Sequence, residues 1–105
     1  MSFTSATQAE AQALVDEVVA AGWAACGQIG GPIRSTYRWQ GKVERSEEWR
    51  TVLTTTSARS VQVVARIRAR HSYDTPEIMV TPVVGGDPDY LGWVVEESSV
   101  AHPPM

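Results

Sequence analysis

The sequence predicts a single α+β domain, on three observations. A helical apolar face lies near the amino terminus, a strand of clean period-two alternation is joined by a tight turn to a returning strand rich in β-branched and aromatic residues, and a second amphipathic helix leads into a short apolar run. At 105 residues, two cores would leave each half in the ~40 to 60 residue range where burial alone rarely suffices. One domain is therefore expected over residues 1–98, with a disordered tail at 99–105 that is polar and then proline-rich.

Residues 2–6 (SFTSA) read as a short first strand, with Thr7 or Ser5 placed to cap a helix. From Gln8 to Trp23, Ala11, Leu14, Val15, Val18, Val19 and Gly22 follow the i, i+3, i+4, i+7 spacing of one buried face. Gly27 stands where the chain would leave the helix for a strand, and Gly30, Gly31 and Pro32 read as a turn. Beyond it Ile33, Ser35, Tyr37 and Trp39 alternate with Arg34, Thr36 and Arg38, which means strand. Gln40, Gly41 and Lys42 form the hairpin turn, and a strand returns from Val43 to Thr56. This ribbon is longer than a domain of this size can cover, so Trp39 and Trp49 are expected to meet another subunit.

Ser57 is the expected cap of a second helix over 58–71, with Val61, Val64, Ala65 and Ile67 as its apolar residues. Pro76 biases Thr75 to an extended backbone, after which Ile78 to Thr81 form a short strand closed by Pro82. Gly85, Gly86 and Asp87 make a turn, and Pro88 opens a last helix through Leu91, Val94 and Val95. Strand, helix, strand, strand, helix, strand, with a long hairpin and a short terminal helix, is the split βαβ, ferredoxin-like pattern.

The chain is 43% hydrophobic and 20% charged with a formal charge of −3, values ordinary for a globular protein. Mild acidity supplies no broad positive field, which argues against nucleic acid as a partner, and Arg66, Arg68 and Arg70 alternate around a helix instead of forming one stripe. No run approaches the roughly 18 apolar residues of a spanning helix, so no membrane partner is expected. Cys26 is the only cysteine, consistent with a reducing compartment. Ala20 to Cys26 (AAGWAAC) has the outline of a lipoprotein cleavage box, but Asp16 and Glu17 interrupt the segment ahead of it and no basic run precedes it. A cytoplasmic location is expected.

Five strings occur in the order in which the CutA family of divalent-cation tolerance proteins carries similar ones. WAAC (Trp23 to Cys26) resembles the LAAC end of that family's first helix, STYRWQGKV (Ser35 to Val43) its strand and hairpin turn, and TTTSAR (Thr54 to Arg59) its entry to the second helix. HSYDTPEI (His71 to Ile78) is similar to its HPYE-x-PEI segment, and GDPDYLGWV (Gly86 to Val94) to its N-PDYL-W segment. The resemblance implies a ferredoxin-like homotrimer whose ribbon reaches onto a neighbour, architectural similarity to the PII signalling proteins, and tolerance of divalent cations, copper above all. It implies no established reaction and no required cofactor, with a divalent cation such as copper as a candidate ligand.

The same resemblance, together with placement in loops and at element ends, points to intersubunit clefts lined by Trp39, Lys42, Tyr73, Glu77, Asp87 and Tyr90 that hold a metal ion or small ligand. His71 is the metal candidate, although a histidine in the last turn of a helix is also favoured there by the macrodipole. Some relatives carry a cysteine in the first strand and a second histidine ahead of the HPY segment; Phe3 and Arg70 stand there in this chain, and Thr54 replaces a lysine. Copper or zinc ordinarily takes three or four suitable side chains, which one subunit does not supply. Relatives also have several more residues ahead of the position of Phe3, so the expectation is either an upstream start or a compensating sheet. No G-x-S-x-G elbow, phosphate loop or base-paired cysteine recommends an enzyme. The alternatives are PII-like signalling through a small ligand and a trimeric interaction scaffold without metal.

Overall fold

Among residues 1–99, which the computed structural model describes, the order is β1 (Ser2–Ser5), α1 (Gln8–Ala20), β2 (Cys26–Trp39), β3 (Lys42–Thr54), α2 (Ser57–Arg70), β4 (Ile78–Met79) and α3 (Pro88–Ser99). The strands form one antiparallel sheet in the order β2-β3-β1-β4, so β1 and β2 are separated by β3 and the ferredoxin-like split βαβ arrangement is realised. Phe3, Leu53 and Ala24 join Leu14, Val15 and Val18 of α1 and Val63 and Ile67 of α2 in one core between the sheet and the helices.

The α1 face is as its spacing predicts at Ala11, Leu14, Val15 and Val18, all buried, and Thr7 Oγ1 accepts the Glu10 amide at 3.1 Å as its cap. The helix ends three residues earlier than expected, because Gly22 adopts φ +74° and closes a Schellman motif. Its amide donates to the Val19 carbonyl at 3.0 Å and the Trp23 amide to the Val18 carbonyl at 2.9 Å. Gly27 has a different role: a Cβ there would lie 2.6 Å from Val15 Cγ1 and 3.0 Å from Leu53 Cδ2, so its bare backbone lets α1 sit close to β2.

Residues 30–32 do not turn the chain. β2 runs through them as one strand of 14 residues, and the irregularity between Gly30 and Ile33 is a bulge, which an edge strand accommodates together with Pro32. Trp49 packs over Gly31 and is partly covered within its own chain. The hairpin turn is the two residues Gln40 and Gly41, at φ 50° and 79°, the conformation that suits the right-handed twist of a two-stranded ribbon.

The second helix starts at Ser57, with Thr56 in the cap position and no side-chain cap bond. Its buried residues are Val63 and Ile67, while Val61, expected inside, is 79% exposed. Packing selects the 63/67 stripe because Arg66 and Arg70 of the neighbouring face pair with Glu17 of α1, and Arg66 lies 4.9 Å from the Trp23 ring centroid. β4 is shorter than predicted, two residues in place of four. In α3, Val94 and Ser98 are buried, Val95 is exposed, and the Arg59 Nε donates to the Ser98 carbonyl at 2.8 Å. The helix includes Ser98 and Ser99, and the rest of the expected tail lies outside the described residues.

β1 is short, but its pairing extends to the first residue: the Met1 amine donates to the Leu53 carbonyl at 2.9 Å and the Leu53 amide to the Met1 carbonyl at 2.8 Å. No helix among the described residues is long and apolar enough to cross a membrane.

Candidate functional site

The loop after α2 is tied to the sheet by His71. Its backbone turns extended at φ −73°, ψ 144°, which stops the helix and sends the ring inward. Nε2 donates to the Thr4 carbonyl at 2.7 Å and Nδ1 accepts the Tyr73 amide at 3.0 Å, so the two partners fix the Nε2–H tautomer. Phe3 meets the ring edge-on at 6.4 Å, and the Tyr73 ring centroid lies 4.8 Å away. The Ser72 amide donates to Glu10 Oε2 at 3.0 Å, anchoring the loop to α1 as well.

This anchoring aims Tyr73 at β3, where its hydroxyl donates to Glu48 Oε2 at 3.0 Å. Burial, then the bond to Glu48 and the negative charges of Glu48 and Glu10, push the phenol up to about 12. Glu48 itself is only 7% exposed. Further along the loop, Glu77 pairs with Arg50 at 3.0 Å, on a partly exposed surface where such a pair contributes little.

Between this loop and the ribbon lies a groove of about 490 Å³. Tyr37 and Trp39 wall it on the ribbon side, Tyr73, Asp74 and Glu77 on the loop side, and Glu48 closes it on β3. Of the residues expected in a ligand cleft, Trp39, Tyr73 and Glu77 are brought together here. Lys42 pairs with Trp39 in the ribbon register and is exposed at the tip. Asp87 and Tyr90 stand elsewhere, at the head of α3: Asp87 Oδ2 accepts the Tyr90 amide at 2.9 Å, and Tyr90 stacks on Trp93 at 5.7 Å. His71 sits behind Tyr73 and supports the groove without lining it.

Sequence reasoning missed Tyr37 and Glu48. The signal was present in the hairpin, because pairing Trp39 with Lys42 sets Tyr37 opposite Glu44 and carries Ile33 to Glu48 on the same side of the ribbon.

The family sequence model described as CutA1 divalent ion tolerance protein matches residues 1–97. The chain belongs to the CutA1 divalent ion tolerance family. It is 37% identical over 91 residues to the divalent-cation tolerance protein CutA of Salmonella newport, a match covering 87% of this chain and 79% of that one. The divalent cation tolerance protein of Thermus thermophilus superposes with a TM-score of 0.90 at 31% identity, covering 92% of this chain and 94% of that one. The CutA of Archaeoglobus fulgidus, described as periplasmic, gives 0.89 at 31% identity with the same coverage of 92% and 94%.

For a CutA1 protein the test of a metal centre is the donor set. Among the described residues no three His, Cys, Asp or Glu side chains come together to hold an ion. Cys26 opens β2 opposite Thr54. Both His71 nitrogens are already hydrogen-bonded, so ligation through either would break one of those bonds. The described residues of one chain do not fit a copper or zinc centre.

Proposed function

We propose that the protein serves tolerance of divalent cations, copper foremost, as a cytoplasmic homotrimer that binds a small ligand in the groove between ribbon and 71–77 loop, and that it is not an enzyme. The observation that carries this reading is the pairing of two exposed ribbon aromatics, Tyr37 and Trp39 at 43% and 47% exposure, with a loop held from behind by His71 and Glu10. Aromatic side chains left half in water beside a groove of this size are the usual lining of a ligand or partner site.

Assembly is supported by surface that one chain leaves open. The domain extends over 44 × 31 × 22 Å, and the sheet face away from the helices presents Val52 and Met79, both exposed, on either side of Ser2. Further copies would cover this face and the ribbon outside the groove, and would offer Lys42, Asp87 and Tyr90 to a cleft that a single chain leaves incomplete. Any metal held by the described residues would then draw donors from more than one copy.

The test is growth at raised copper of cells lacking the endogenous gene and supplied with the wild type or the double variant Tyr37→Ala/Trp39→Ala. The reading expects the double variant to lose tolerance while remaining folded and assembled. Full tolerance from an assembled double variant contradicts it.

A further inference from the structure

We propose that the ligand of the groove is an organic cation, with an ammonium or guanidinium group seated on Glu48 and an apolar body against Tyr37 and Trp39. This rests on the small-ligand reading above and names the class of ligand.

Glu48 carries the charge that selects the ligand. As a residue it is only 7% exposed and it lines the groove, yet the one partner of its carboxylate is the neutral Tyr73 hydroxyl at Oε2. The ion pairs among the described residues take up Glu77 and Glu17, and none reaches Glu48. A buried carboxylate without an opposite charge is unfavourable, and a cation brought in by a ligand removes that penalty. Tyr73 orients the group, leaving Oε1 free to accept.

The rest of the groove has the same preference. Asp74 adds a second negative charge, and neither lysine nor arginine is among the lining residues. Tyr37 and Trp39 line it, and aromatic rings attract ammonium and guanidinium groups and also bury an apolar body. Ser35 and Thr75 are also among the lining residues, and hydroxyl side chains of this kind hydrogen-bond a polar tail. A volume of about 490 Å³ suits a small organic molecule and is far larger than a bare ion needs. The carboxylates are also not gathered into a set of three donors, which disfavours a metal ion as the occupant.

The experiment is calorimetric titration of the full chain in its assembled state with three probes of one shape: phenethylammonium, 2-phenylethanol and phenylacetate. The amine is expected to bind at least about tenfold more tightly than the alcohol, with phenylacetate weakest, because a charge-assisted contact replaces a neutral one. Glu48→Gln should bring the amine down to the level of the alcohol, and Trp39→Ala should weaken both. Should Glu48→Gln fail to fold, the amine-to-alcohol ratio of the wild type and its fall with added salt decide the matter. Equal binding of amine and alcohol, or tighter binding of phenylacetate, overturns the cationic class while leaving a small-ligand groove intact. Binding of none of the three overturns the proposal, as does a crystal structure of the assembly with a lysine or arginine of another copy on Glu48. The copper growth assay of the Tyr37→Ala/Trp39→Ala variant then shows separately whether the groove matters at all.

Discussion

The Tyr73 hydroxyl lies 3.0 Å from Glu48 Oε2 and bridges the loop after α2 to the middle of β3. Through this bond the two halves of the fold meet at the groove, because Tyr73 is positioned by His71 and Glu48 sits where the sheet gives way to the ribbon. A rigid loop wall and an oriented carboxylate follow from the same contact.

Removing that hydroxyl should therefore affect stability as well as binding. Tyr73→Phe leaves a buried carboxylate without its donor, a loss of about 1.5–3 kcal/mol for a hydrogen bond to a charged group. Urea denaturation of the assembled variant, at fixed protein concentration, measures it.

The same phenol sets a dependence on alkaline pH. Its ordinary value of 10.0 is raised to about 12 in the fold, so the folded state holds the proton more tightly than the unfolded chain. The associated stability is complete below the unfolded value and is lost as pH rises through the folded one. Tyrosinate absorbance should show one late-titrating tyrosine near 12 that Tyr73→Phe abolishes.

His71→Ala should destabilise the protein by about 1–3 kcal/mol, since the buried Thr4 carbonyl loses its donor and the Tyr73 amide its acceptor. Hydrogen exchange at Tyr73 is expected to speed up together with the loss. Unchanged stability and exchange would contradict the supporting role assigned to the ring.

Gly27→Ala places a methyl group 2.6 Å from Val15 Cγ1, inside a packed helix–sheet contact. Overpacking of this kind costs about 1–3 kcal/mol, read as a lower denaturation midpoint. Gly30→Ala, where a Cβ meets nothing within 4 Å, is the matched control and should leave the midpoint close to wild type.

The parts of the fold legible in the sequence were those in which one local rule acted alone. The α1 stripe, the Thr7 cap, the Pro88 helix start and the period-two ribbon all belong to this kind. In α2 two apolar stripes overlap, and the choice of Val63 over Val61 depends on Glu17 of another helix drawing Arg66 and Arg70 toward α1. Gly30, Gly31 and Pro32 carry turn chemistry, yet an unpaired strand edge absorbs them as a bulge. The groove was half visible, through Trp39, Tyr73 and Glu77, because loops and ribbon ends attract attention. Glu48 could be placed from the hairpin register, but its burial, which gives it importance, appears only once the loop after α2 packs against β3.

Sedimentation velocity on the purified chain tests the account at its base, since other copies are proposed to cover the open sheet face and the ribbon outside the groove. The expected species has three times the 11.4 kDa chain mass and persists at micromolar concentration. Val52→Asp, which places a charge on the exposed sheet face, should shift it toward single chains. A well-folded wild-type monomer at that concentration would contradict the account.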